Sequence, residues 1–67
     1  DEVGVAPYQY LLRVRVARAT ELLEGGRASV TEAAFGAGFG DLGRFARTYK
    51  RHTGRLPTEV LRAARSA

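Results

Sequence analysis

Residues Ser29 to Gly54 read SVTEAAFGAGFGDLGRFARTYKRHTG, and the fold turns on this stretch. Ser29 with Glu32 makes a capping box, in which each side chain satisfies an amide of the other residue. Val30, Ala33, Ala34 and Ala37 then recur at i, i+3, i+4 and i+7, which predicts a short helix over about 30–37 whose small-residue face allows close helix approach. Gly38 can take a left-handed conformation at no steric cost, and Phe39 drops into the core beneath the corner. Asp41 caps a further helix over about 42–53, which Gly54 ends. Leu42, Phe45 and Tyr49, flanked by Ala46, make its buried side; Gly43, Arg47 and Lys50 point the opposite way, with Arg44 and Arg51 along one edge. Two short helices joined at a Gly-Phe corner, the second of them cationic outward, is the arrangement by which a helix-turn-helix offers a recognition helix to DNA. Helices also carry Arg and Lys merely for solubility. The capped helix and the corner in front of this one favour the DNA reading.

Outward from that stretch, Pro7 sits where a first helical turn tolerates proline, and apolar residues recur until Gly25-Gly26, predicting a helix over about 7–24. Tyr8, Leu12, Val16, Ala19 and Leu23 make one stripe, and Tyr10, Val14 and Ala17 another on the opposite side. A helix apolar on two opposed sides expects two neighbours. Leu56-Pro57 opens a last helix of about 57–65 with Val60, Leu61 and Ala64 inward. The fold class is therefore all-α, a small helix-turn-helix bundle of about four helices.

With 67 residues the chain is one domain at most. At that size folding buries only roughly 60% of the surface of the unfolded chain, so stability is marginal. There is no cysteine and a single histidine, which excludes disulfides and the ordinary zinc ligand sets. No metal or cofactor is expected. Eleven basic against seven acidic side chains give a net charge of +4, and ten of the eleven are Arg, whose planar fork suits phosphates and guanine edges. No apolar run approaches a bilayer-spanning length and no signal-peptide pattern opens the chain, so the expectation is no membrane contact and a cytoplasmic protein at the nucleoid. His52 in a last helical turn suits the helix dipole, Glu21 with Glu24 reads as a solvated face, and no Ser, His and Asp set or phosphate-cradling glycine loop is present. An enzyme is not expected and no catalytic residue is assigned.

Gly4, Pro7 and Leu11 match Gly54, Pro57 and Leu61 at a constant offset. In the second instance this frame follows a recognition helix. Residues 1–6 then read as the stub of an upstream unit, 7–24 as a linker helix, 29–54 as the helix-turn-helix and 57–65 as a C-terminal helix. The two-sided linker would pack against both units.

Val30, Ala33, Ala34, Gly38, Phe39, Asp41, Phe45, Arg47, Tyr49, Lys50, Gly54 and Pro57 fit in one unbroken frame the second helix-turn-helix of AraC/XylS-type transcription regulators, which the chain resembles over nearly its whole length. PYQYLLRVRVARATELL, Pro7 to Leu23, likewise resembles the helix linking the family's two units. Departures are Ala6 and Leu56 in place of the frequent Ser before each proline, Gly43 in place of the common Ser in the recognition helix, and Val60-Leu61 in place of Tyr-Arg. The two lost caps are worth about 1 kcal/mol each.

The resemblance implies sequence-specific binding of double-stranded DNA by a bacterial regulator. Its base-facing positions are Leu42, Gly43, Ala46 and Arg47. Phosphates would be held by Arg44, Lys50 and Arg51 and by the start of the shorter helix at Ser29, Val30 and Thr31. It also implies a missing N-terminal helix-turn-helix, a separate sensing domain and RNA polymerase as a partner of the full-length protein. The rival reading is a helical protein-interaction or dimerisation module that uses the Tyr10, Val14 and Ala17 face.

Overall fold

The structure, a computed structural model, describes residues 7–66, in which four helices and no strand occur. The stub reading of residues 1–6, and Gly4 of the repeat, lie outside the described residues.

The first helix, α1, spans Tyr8–Glu24. Pro7 is its N-cap with extended backbone (φ −62°, ψ 153°), one residue outside the expected start, and its carbonyl accepts from the Leu11 N–H at 3.1 Å. α2 spans Val30–Gly36. Its capping box is complete: the Glu32 N–H donates to Ser29 Oγ at 3.0 Å and the Ser29 N–H to Glu32 Oε1 at 2.8 Å. Ala37 is the C-cap of α2, one residue past the helix that the apolar spacing predicted to include it. Gly38 then adopts φ +99°, its N–H reaching the Phe35 carbonyl and that of Phe39 the Ala34 carbonyl. This is the Schellman ending, and it swings Phe39 under the corner.

α3 spans Leu42–Thr53, capped by Asp41 through the Arg44 N–H at 2.8 Å and closed by Gly54 at φ +80°. α4 spans Pro57–Ser66, one residue beyond the expected end. Its cap is not wholly lost: Glu59 reaches back to accept from the Leu56 N–H at 3.0 Å, half of a capping box without the Ser that would complete it.

α1 packs against each of the other three helices. Val16, Ala19 and Leu23 meet Ala33, Ala34, Ala37, Phe39, Phe45, Tyr49, Val60 and Leu61 in a single core, with Leu12, Leu22 and Val30 at its margin. The Phe39, Phe45 and Tyr49 rings step through it at centroid spacings of 5.0 and 5.5 Å, tilted by 56° and 52°, the offset that aromatic quadrupoles favour. Ala64, expected inward, is half-buried.

Two residues assigned to buried stripes are exposed: Tyr8 (58%) and Leu42 (40%). Each is the first residue of its helix. Helical side chains lean toward the N-terminus, so theirs lean past the end of the helix with no turn beneath to cover them.

Two ties were not visible in the pattern. The Thr20 hydroxyl donates to the Val16 carbonyl at 3.0 Å, which leaves Tyr49 Oη as the donor in its 2.7 Å bond to Thr20 Oγ1. This bond satisfies the buried phenol and locks α3 to α1. A Cβ on Gly38 would stand 3.1 Å from Arg15 Nε, so glycine serves there both for its positive φ and for the passage of the arginine.

Candidate nucleic-acid interface

The core sets the phase of α3. With Phe45 and Tyr49 fully inside, Arg47 is turned outward between them, and Leu42, Gly43, Arg44, Lys50 and Arg51 are exposed beside it while Ala46 is half-buried. Over a helix of 12 residues the outer side therefore carries four cations. At 1.5 Å per residue that is a ridge about 18 Å long.

Arg44, Arg47, Thr48 and Arg51 line one depression of about 280 Å³. Ala46, Arg47, Lys50 and Arg51 line another of about 340 Å³, whose wall is completed by Leu56. Leu56 is 38% exposed and arrives from the turn after α3 to give this basic surface an apolar floor. Its position next to a proline hid that role, because the sequence marked it only as a missing cap.

Among the described residues Arg47 makes no side-chain hydrogen bond or ion pair. Its Nη1 lies 3.7 Å from where a Gly43 Cβ would be, so the glycine leaves room for the guanidinium to lie back along the first turn. Among the described residues the single ion pair is Arg18–Glu21 at 3.2 Å, so no cation of α3 is held in one, although Asp41 Oδ2, like Arg47 Nη1, lies within 4 Å of the place a Gly43 Cβ would take. Like charges at this density repel one another, and a bound polyanion relieves that repulsion.

The start of α2 is more guarded. The capping box occupies the Ser29 and Glu32 amides and brings the Glu32 carboxylate to the helix end. The Val30 and Thr31 amides lie outside the box. The Ser29 hydroxyl accepts from Glu32 and keeps its own hydrogen for a further partner.

Among the described residues no helix is long and apolar enough to cross a membrane, and no three of His, Cys, Asp or Glu are grouped so as to hold a metal ion.

A sequence-family profile described as a helix-turn-helix domain matches residues 1–63. The chain belongs to the AraC/XylS-type helix-turn-helix family. It is 38% identical over 60 residues to the HTH-type transcriptional activator RhaS of Klebsiella pneumoniae (strain 342), an alignment covering 90% of this chain and 22% of that protein. Against RhaS of Escherichia fergusonii identity is 39%, and against RhaS of Escherichia coli O139:H28 it is 36%, each with the same coverage. The chain thus spans about a fifth of the length of these curated relatives. No solved structure matches. The matched profile is described as a helix-turn-helix domain, and these relatives are named as transcriptional activators.

Proposed function

We propose that the chain is the second DNA-reading unit of its AraC-type regulator, and that α3 lies in the major groove with its N-terminal half toward the base edges. The observation that carries this is the outward, uncommitted Arg47 opposite buried Phe45 and Tyr49. Arg47 takes the O6 and N7 edge of a guanine in a two-pronged contact. Leu42 touches a thymine methyl. Gly43 and Ala46 let the backbone approach closely and add no hydrogen bonds of their own. Arg44, Lys50 and Arg51 hold phosphates, joined by the Ser29 hydroxyl and the Val30 and Thr31 amides of the neighbouring helix start. Direct readout is then sparse, resting on one arginine.

In the whole regulator an upstream helix-turn-helix enters the next major groove about one turn away, and a sensing domain and RNA polymerase complete the partners. The protein works in the cytoplasm at the nucleoid, and it performs no catalysis. From the names of its relatives we carry over activation of transcription as its direction of control. Selection of bound duplexes from a randomised pool tests the reading. A guanine-bearing consensus is expected, and recovery of an unenriched pool rejects it.

A second contact is favoured by the outer side of α1, where Tyr10 (55%) and Val14 (47%) are exposed beside exposed Ala17. This face packs against the upstream unit. If it were instead a dimerisation module, the chain would sediment as a dimer and bind no duplex.

A further inference from the structure

We infer that the cationic surface continues from α3 onto α1, where Arg13, with Arg51 and His52, seats one backbone phosphate of the bound duplex. The inference rests on the docking proposed above and extends its footprint to a helix that the sequence assigned only to packing.

The first turns of α1 and the last turn of α3 face each other across a cleft of about 440 Å³, lined by Tyr8, Gln9, Leu12, Arg13, Arg51 and His52. Among the described residues its donor set is two guanidiniums, an imidazole, an amide and a phenol, with no carboxylate. Among the described residues neither arginine pairs with an acid within 4 Å, so within that set the two cations share one cleft without a counter-charge. A phosphodiester supplies that charge, with oxygens spaced to meet a guanidinium fork. Tyr8, displaced from the core, becomes one wall of the seat.

Continuity decides between a strand of DNA and a free phosphorylated molecule. Arg51 lines both this cleft and the depression formed with Arg44, Arg47 and Thr48, so the cations run without a break from the ridge of α3 to Arg13. A sugar-phosphate strand leaving the major groove follows such a track; an isolated small anion has no need of it.

The test compares the native chain with Arg13→Ala, His52→Gln and the control Arg62→Ala, an exposed arginine on α4. Circular dichroism checks that each is folded. Each is titrated with a duplex the native chain selects, over a range of salt. Arg13→Ala is expected to make the log-log salt slope shallower by about 0.9, one phosphate's worth, with base preference unchanged. His52→Gln is expected to weaken binding less than Arg13→Ala does. Replacing phosphates one at a time by neutral methylphosphonates is expected to reveal one flanking position that matters to the native chain and not to Arg13→Ala. A slope and profile identical to the native chain's, or an equal loss in Arg62→Ala, overturns the seat and leaves the docking of α3 standing. Failure of the native chain to bind any duplex overturns both. Added inorganic phosphate that binds the native chain at millimolar concentration, and not Arg13→Ala, while both hold the duplex equally, would show a small-anion site and overturn the assignment to the strand.

Discussion

α1 and α3 each turn one side away from the shared core, and the two outer sides are chemical opposites. On α1 the outer side presents Tyr10, Val14 and Ala17; on α3 it presents Arg44, Arg47, Lys50 and Arg51. The inner sides are alike, apolar and closed against each other through Tyr49 and Thr20. The difference lies in the partner each outer side lacks. An apolar surface left in water is relieved by another packed protein unit, whereas an uncompensated row of cations is relieved by a polyanion. Burial fixes which way both sides point, so the core does the aiming for the interface.

The comparison breaks most completely if the core fails to aim. Phe45→Ala removes the central ring of the aromatic stack and is expected to cost about 3–5 kcal/mol. A chain of this size has about 3–10 kcal/mol in total. Urea unfolding is therefore expected to find a large part or all of the native stability gone, with DNA binding weakened as well; a variant as stable as the native chain would mean that the aromatic stack does not set the phase of α3.

Arg47→Ala leaves the core untouched and acts on the outer side alone. It is expected to remove about 1–3 kcal/mol of discrimination at one base pair while thermal stability stays near the native value. Competition binding with singly substituted sites reads the first, and a melting curve the second. A broad loss at every position would make Arg47 a phosphate contact instead.

Leu56→Ser completes the capping box that Glu59 half-forms and is expected to stabilise the fold by about 0.5–1 kcal/mol. That raises the melting temperature by a few degrees, at about 4–8 °C per kcal/mol for domains of this size. A fall in melting temperature would show that the apolar wall Leu56 gives the α3 surface outweighs the cap.

The smallest effect is expected on the outer side of α1. Tyr10→Ser in the isolated chain changes stability by no more than about 0.5 kcal/mol, as for exposed sites generally. Denaturant titration showing a much larger loss would mean that this side is already covered within the chain.

Helix limits were legible because their chemistry is local. Ser29 with Glu32, Asp41, Gly38 and Gly54 all stop or start helices where the sequence placed them. The family frame was legible for the same reason, being a spacing along one stretch. The outward set of α3 followed from phase alone. Illegible were the places where a helix end meets tertiary space: Tyr8 and Leu42 share the spacing of buried residues but hang off the first turn of their helices. Also hidden were meetings between residues distant in sequence, such as Thr20 with Tyr49, Arg15 beside Gly38, Leu56 against the α3 surface, and Arg13 across from His52. Periodicity reports which side of its own helix a residue occupies, and nothing of what a second helix brings to it.

The central claim, that α3 reads a guanine edge from the major groove through Arg47, meets its most direct measurement in a duplex whose guanines are replaced one at a time by 7-deazaguanine, which deletes the N7 acceptor and leaves base pairing intact. The account predicts one guanine at which this change weakens binding by the native chain and has no effect on Arg47→Ala. Equal binding of every substituted duplex by the native chain would contradict it.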